Sequence, residues 1–201
     1  MKKETKLKIK QIFMDNKGYA RSKDITSAGI HRKYLSDLMD DRIIIKLKKG
    51  LYKWNENEYS AINELVDVSK IVPEGIICLI SALSYYELTT YNPLKYQVAI
   101  PNSKKIAIPD YPPIKLYYFS EKYYEAGIDE IEIENHYIKI YDIEKTISDC
   151  FRYSYEIPKD ILLESLKEYI SRPDKNINKL MKYAQNTSAD KKISNYLEVL
   201  L

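Results

Sequence analysis

Residues 22–54 read SKDITSAGIHRKYLSDLMDDRIIIKLKKGLYKW. Ser22 suits the N-cap of a short helix over Lys23–Ala28, with Ile25 turned inward. Gly29 makes the turn, Ile30 is buried, and a second helix runs from about Arg32 to Asp41 with His31 near its cap. Tyr34, Leu35, Leu38 and Met39 form its apolar stripe. Two short apolar runs follow, Ile43–Leu47 and Leu51–Trp54, parted by the turn Lys48-Lys49-Gly50. Upstream, residues 4–16 predict a helix with Leu7, Ile12 and Phe13 inward, ended at Gly18. Three helices followed by a basic-tipped hairpin are the plan of a winged helix-turn-helix.

Charge separates this region from the rest. Residues 1–54 carry fifteen Lys or Arg against six Asp or Glu, while the whole chain of 201 residues has a formal net charge of only +3. A cationic end on an otherwise acidic chain is the footprint of a polyanion-binding module, although a lysine run also serves as a solvated face. The polar stretch Asn55-Glu56-Asn57-Glu58 is the boundary candidate. It divides a DNA-binding domain of residues 1–56 from a second domain of residues 57–201.

The second domain reads as α+β, with a small sheet and a helical tail. A helix near Ser60–Lys70 ends at Pro73 and Gly75, and Ile76–Leu88 reads as a buried apolar helix. Strands are expected at Tyr96–Ile100, Ile114–Phe119, Ile131–Glu134 and Tyr137–Tyr141. Asp142 caps a helix through about Tyr153, Pro158 precedes another over Asp160–Ile170, and Asp174 and Ser188 read as caps for two more.

The DNA-contacting candidates follow from geometry. The second helix of such a motif enters the major groove by its N-terminal end, here His31-Arg32-Lys33 with Ser36 one turn on. Arg32 has the forked donor set that matches guanine O6 and N7, while Lys33 suits phosphate and Ser36 either partner. His31 reads equally as a packed helix-start residue. Lys48 and Lys49 at the hairpin tip suit backbone phosphates or the minor groove, and Ser22 and Lys23 suit phosphate at a helix start.

Catalytic and metal-binding sets are thin. With only two histidines, His31 and His136, in different regions, no Ser-His-Asp triad or HExxH site assembles, and no phosphate-cradling glycine loop occurs. Glu130, Glu132 and Glu134 alternate along one strand face; edge-strand solvation explains them better than a metal cluster, because Ile131 and Ile133 supply the buried face. Asp142, Glu144 and Lys145 have the residue types of a metal-dependent nuclease, but as a helix start they read as cap and dipole partners. No cofactor, metal or enzymatic activity is expected. A nuclease guided to DNA and a protein-binding adaptor are the competing readings.

Cys78 and Cys150 lie far apart among apolar residues and read as buried thiols of a cytoplasmic protein. Lys6, Lys8 and Lys10 interrupt any apolar leader, and no run spans a bilayer, so neither export nor membrane insertion is expected. The twenty tyrosines accompany frequent Lys, Ile and Asn, a bias that AT-rich coding produces without function.

The chain resembles the AbiEi family of antitoxins and transcriptional regulators from type IV abortive-infection toxin–antitoxin systems, which act in phage defence. The resemblance rests on Gly29-Ile30, Leu35, Leu38 and Lys49-Gly50-Leu51-Tyr52 in the first part. In the second it rests on residues 75–83 (GIICLISAL), Val98-Ala99-Ile100-Pro101, residues 140–151 (IYDIEKTISDCF) and Tyr196-Leu197-Glu198. It implies a repressor that binds inverted repeats in the promoter of its own operon and counteracts a nucleotidyltransferase toxin without forming a stable complex with it. Where many relatives carry an Arg-rich segment after the Ile-Pro, this chain has Asn102-Ser103-Lys104-Lys105. Lys104 and Lys105 therefore read either as a second DNA-contacting surface, without the forked guanidinium, or as solvated loop residues.

Overall fold

The computed structural model describes residues 3–55 and 63–200, apart from the side chains of residues 199 and 200. Among these residues the protein is α+β, with ten helices, a three-stranded sheet and a five-stranded sheet. The chain divides into two units. The first holds Met1–Pro73, Ile106–Pro112 and Glu132–Tyr137; the second holds Glu74–Lys105, Pro113–Ile131 and Ile138–Leu201. Residues 56–58 of the expected boundary, and the expected helix start at Ser60, lie outside the described residues.

The first unit runs α1 (Lys3–Asp15), β1 (Tyr19–Arg21), α2 (Ser22–Ser27), α3 (Lys33–Asp40), β2 (Ile44–Lys48), β3 (Leu51–Trp54) and α4 (Glu64–Ile71). Its sheet has the order β1-β3-β2 with both pairings antiparallel. β1 carries no signal in the sequence, because three residues are too few to show a strand period. On α1 the buried pair is Ile9 and Phe13, one helical turn apart, whereas Leu7 is 58% exposed. Leu7 sits two positions from Ile9, about 200° around the helix, and so faces away. Phe13 packs on Trp54 with ring centroids 5.3 Å apart, and Ile25, Leu35 and Leu38 complete the core.

The start of α2 also differs from the expected serine cap. The helix opens at Ser22 itself, with Arg21 in the cap position. The Asp24 carboxylate reaches back to accept from the Arg21 backbone N–H at 2.7 Å, which fixes the first turn one residue earlier than a serine cap would.

α4 is tied to the sheet by a buried polar link. Asp67 accepts a hydrogen bond from the Tyr19 hydroxyl of β1 at 2.6 Å and from Lys53 Nζ of β3 at 3.0 Å. Burial raises the Asp67 pKa, while the tyrosine hydroxyl and the ammonium oppose that rise; Tyr19 itself is pushed above its ordinary value by burial and by the carboxylate.

The second unit begins with β4 (Ile76–Ile77) and α5 (Leu79–Tyr85). The predicted helix over Ile76–Leu88 is thus replaced at its start by a strand, since a short, fully apolar run carries no periodicity to tell helix from buried strand. Gln97 fixes the change of direction, taking the Cys78 N–H on its carbonyl at 3.0 Å and the Ile80 N–H on its side-chain oxygen at 2.7 Å. There follow β5 (Tyr96–Pro101), β6 (Ile114–Phe119), α6 (Glu121–Tyr124), β7 (Ile128–Ile133) and β8 (His136–Tyr141). The sheet order is β6-β5-β4-β8-β7, with β4 antiparallel to β5 and parallel to β8, and β5 parallel to β6.

Helices α7 (Ile143–Arg152), α8 (Lys159–Ser171), α9 (Ile177–Thr187) and α10 (Asp190–Leu200) complete the unit. Asp142 caps α7, accepting from the Lys145 N–H at 2.8 Å. The expected caps at Asp174 and Ser188 are not caps of that kind. Asp174 pairs with the Arg172 guanidinium, and Asn176 caps α9 instead, accepting from Lys179 N–H at 2.9 Å. Ser188 closes α9 in the left-handed conformation, φ 58°.

Inside the second unit Lys145 is fully buried, its ammonium 2.6 Å from Asp149 Oδ2 and 3.4 Å from the centre of the Tyr123 ring. Tyr123 donates its hydroxyl proton to Asp149, and the Tyr141 and Phe119 rings complete the enclosure at 4.4 and 5.1 Å. Burial lowers the lysine's hold on its proton and raises the carboxylate's, and their mutual attraction opposes both shifts.

Replacing Asp67 by Ala removes a buried carboxylate from the Lys53 ammonium and the Tyr19 hydroxyl in a covered site. Unfolding by urea, followed by Trp54 fluorescence, is expected to reveal a loss of about 3–5 kcal/mol. A loss below about 1 kcal/mol would show that the link is ornamental.

Candidate nucleic-acid interface

Each sequence-predicted contact has a definite place. His31, Arg32 and Lys33 are exposed at the start of α3, held there by Leu35 and Leu38, which are buried on the helix's other face. The His31 imidazole Nδ1 accepts from the Lys33 backbone N–H at 3.1 Å, so this histidine serves the helix start while remaining at the surface. Ser36 is exposed one turn further on.

The start of α2 and the hairpin turn lie against one another. The Ser22 N–H donates to the Gly50 carbonyl at 3.0 Å, and a Cβ at Gly50 would lie 3.7 Å from Ser22 Oγ. Gly50 has φ +78°, a conformation that suits glycine and closes the turn tightly. Lys23 and Lys49 are both exposed, whereas Ser22 is half-buried. The structure therefore brings together the helix-start pair Ser22 and Lys23 and the turn residue Lys49.

Lys48 behaves differently from its neighbour. It is half-buried, and its ammonium donates to the Ile71 carbonyl at the end of α4, where the partial negative charge of a helix terminus favours a cation. Burial, and then the nearby Arg21 guanidinium, lowers its pKa. Arg21 was missed by sequence reasoning. It is exposed at the α2 cap position, and its signal in the sequence was a basic residue three places before Asp24.

Lys104 and Lys105 belong to the second unit and are exposed, with Lys104 paired to Glu74 at 3.1 Å. Glu130 and Glu132 are exposed on the edge strand β7. Glu134 sits beyond that strand, with φ 50°, and accepts from the Asn63 N–H at 3.2 Å. Asp142 and Glu144 share Lys179, at 3.3 and 3.0 Å. Among the described residues no group of three His, Cys, Asp or Glu side chains is placed to hold a metal ion. Both cysteines are buried and free. Among the described residues no helix is long and apolar enough to cross a membrane.

Residues 8–52, covering most of α1 through the first residues of β3, match the family model described as "Transcriptional regulator, AbiEi antitoxin". The AbiEi resemblance holds over this segment. The matched AbiEi segment contains the α3 start, the α2 start and the hairpin turn, and it supports a regulator or antitoxin role. The crystal structure of the RV2827C protein from Mycobacterium tuberculosis has a similar fold, with a TM-score of 0.70 over 94% of this chain and 74% of that one, at 13% identity. No curated protein sequence matches the chain.

The second histidine has a different environment from His31. His136 is buried, with its ring edge-on to Tyr19 at 5.4 Å. Burial, then the Lys70 and Lys17 ammoniums, pushes its pKa down to about 4. Between about pH 6.5 and 4 the unfolded chain binds a proton that folded His136 refuses, so its contribution to stability is present above 6.5 and is lost as the pH falls through that window. An NMR titration is expected to place the imidazole midpoint near 4, and a midpoint near 6.5 would contradict the burial.

Proposed function

We propose that residues 1–56 are a winged helix-turn-helix that binds duplex DNA at inverted repeats in the chain's own promoter. The observation that carries this reading is the exposed cluster His31-Arg32-Lys33 at the start of α3, in a unit where Ser22 and the Gly50 turn are hydrogen-bonded together. α3 is the reading helix. Arg32 addresses a guanine edge, Lys33 a neighbouring phosphate and Ser36 a base edge or phosphate. His31 holds the helix start and is near enough to the surface to join the contact. Lys23 and Lys49 take phosphates on the flank, fixing register without reading sequence. Lys48, held by the Ile71 carbonyl, supports the hairpin from beneath and reaches DNA only if it gives up that bond.

Residues 57–201 are assigned to the antitoxin role, opposing a nucleotidyltransferase toxin without a lasting complex. The match of residues 8–52 to an antitoxin and regulator model supports such a role for the chain as a whole, and residues 57–201 take the antitoxin part because DNA binding is assigned to residues 1–56. Lys104 is the weaker candidate for a second DNA contact because Glu74 competes for its ammonium; Lys105 is the better one.

Fluorescence anisotropy on a duplex from the chain's own upstream region, across a salt series, tests the DNA reading. Arg32→Ala is expected to cost about 1–3 kcal/mol on that duplex and to narrow the gap to unrelated sequence. Lys49→Ala is expected to weaken both duplexes alike and to reduce the log–log salt slope by about 0.9. Equal affinity of the unaltered chain for both duplexes would overturn sequence-specific repression, and no binding even at low salt would overturn the interface.

A further inference from the structure

Three cations in the first unit face open concavities and have no carboxylate partner among the described residues. Two shallow hollows, of about 240 and 370 Å³, share Asn16 and Lys70. Tyr19, Arg21 and Asp24 line the first; Asp15, Lys17 and His136 line the second. Lys17 takes a left-handed backbone, φ 53°, at the exit of α1, and its ammonium donates to the Asn135 carbonyl at 2.5 Å. Lys70 lies with its ammonium 5.7 Å from the centre of the Tyr19 ring. Arg21 extends from the end of the same short strand that carries Tyr19.

Asp24 and Asp15 line the two hollows with Glu134 nearby, but all three are hydrogen-bonded to neutral N–H donors and none is ion-paired with these cations. Asp15 accepts from the Gln11 side-chain amide at 2.7 Å, Asp24 from the Arg21 backbone N–H, and nearby Glu134 from the Asn63 N–H. The cations accordingly act on one another. After burial, Lys17 and Arg21 are what lower the Lys70 pKa, and Lys70 and Lys17 together help keep His136 neutral. Like charges gathered in a concave, half-covered site raise the local potential and favour an anion that can neutralise several of them at once.

We infer that the two adjoining hollows that share Lys70, one edged by Arg21 and the other by Lys17, form a phosphate-binding site separate from the α3 reading end. Phosphate suits it better than a carboxylate does. It carries up to two charges, and its tetrahedral oxygens accept from a forked guanidinium and from ammoniums at the same time. Arg21 adjoins Ser22 and Lys23, so a nucleic-acid strand held at the α2 start has a phosphate within the same stretch of surface; a free nucleotide or pyrophosphate supplies the same group. The site does not depend on promoter recognition.

Calorimetry of the full chain with inorganic pyrophosphate at low salt, beside duplex binding across a salt series, tests the site and separates its sources. The variants are Arg21→Gln, whose side chain is exposed, and Lys70→Met, which keeps an apolar stem on Tyr19; thermal unfolding monitors both. Lys167→Gln on α8 removes an exposed charge elsewhere as the control. Loss of pyrophosphate affinity by about tenfold or more in both variants, and not in the control, assigns the site to free phosphates. No pyrophosphate binding, but a duplex salt slope smaller by about 0.9 in each variant, assigns it to strand phosphates. Pyrophosphate binding that neither variant moves, or no response in either assay, overturns the site. If the chain binds no duplex at all, that failure belongs to the promoter reading, and the pyrophosphate arm alone decides this one. Should Lys70→Met fail to fold, the response of Arg21→Gln settles the same outcomes.

Discussion

Asp67 is a carboxylate kept from water by a tyrosine hydroxyl on one strand and a lysine ammonium on another. A buried negative charge persists only when hydrogen bonds and an opposite charge replace its hydration, and here both replacements come from the sheet it must stay against. The constraint propagates along β1. Fixing the Tyr19 hydroxyl fixes its ring, which is the surface met by His136 and by the Lys70 ammonium. Two residues on, the same strand delivers Arg21 to the mouth of α2. The polar core of this unit and its cationic exterior are thus two ends of one short strand.

Much of the first unit was legible because its information is local. Gly29 and Gly50 mark turns by their backbone freedom, and the i, i+3 spacing of Leu35 and Leu38 identifies the covered face of α3 whatever lies beneath it. The features that escaped reading depend on partners far along the chain. β1 exists because β3 pairs with it, β4 because Ala99 and Ile140 stand beside it, and the Asp67 link joins residues 48 positions apart. The same holds for the candidate interface. His31, Arg32, Lys33 and Ser36 follow from helix phase, whereas Arg21 becomes noticeable only when Lys17 and Lys70 are seen near it.

Lys48 and Lys49 show how little a charge count says about individual charges. Adjacent in sequence, they point differently because Lys48 ends β2 at a register shift whereas Lys49 already belongs to the turn. One ammonium meets the carbonyl end of α4 and stiffens the hairpin; the other is left to solvent. The basic excess of residues 1–54 is therefore larger than the set of cations the surface offers.

Lys145 gives the second unit an internal gauge of its integrity. Its amine is sealed by Tyr123, Tyr141 and Phe119 and spent on Asp149, so amine-directed acylating reagents have no path to it while the unit stays closed. Surface lysines such as Lys167 and Lys191 would take up label on contact. Modification at position 145, read by peptide mass, would then report opening events of the α7 core rather than surface chemistry.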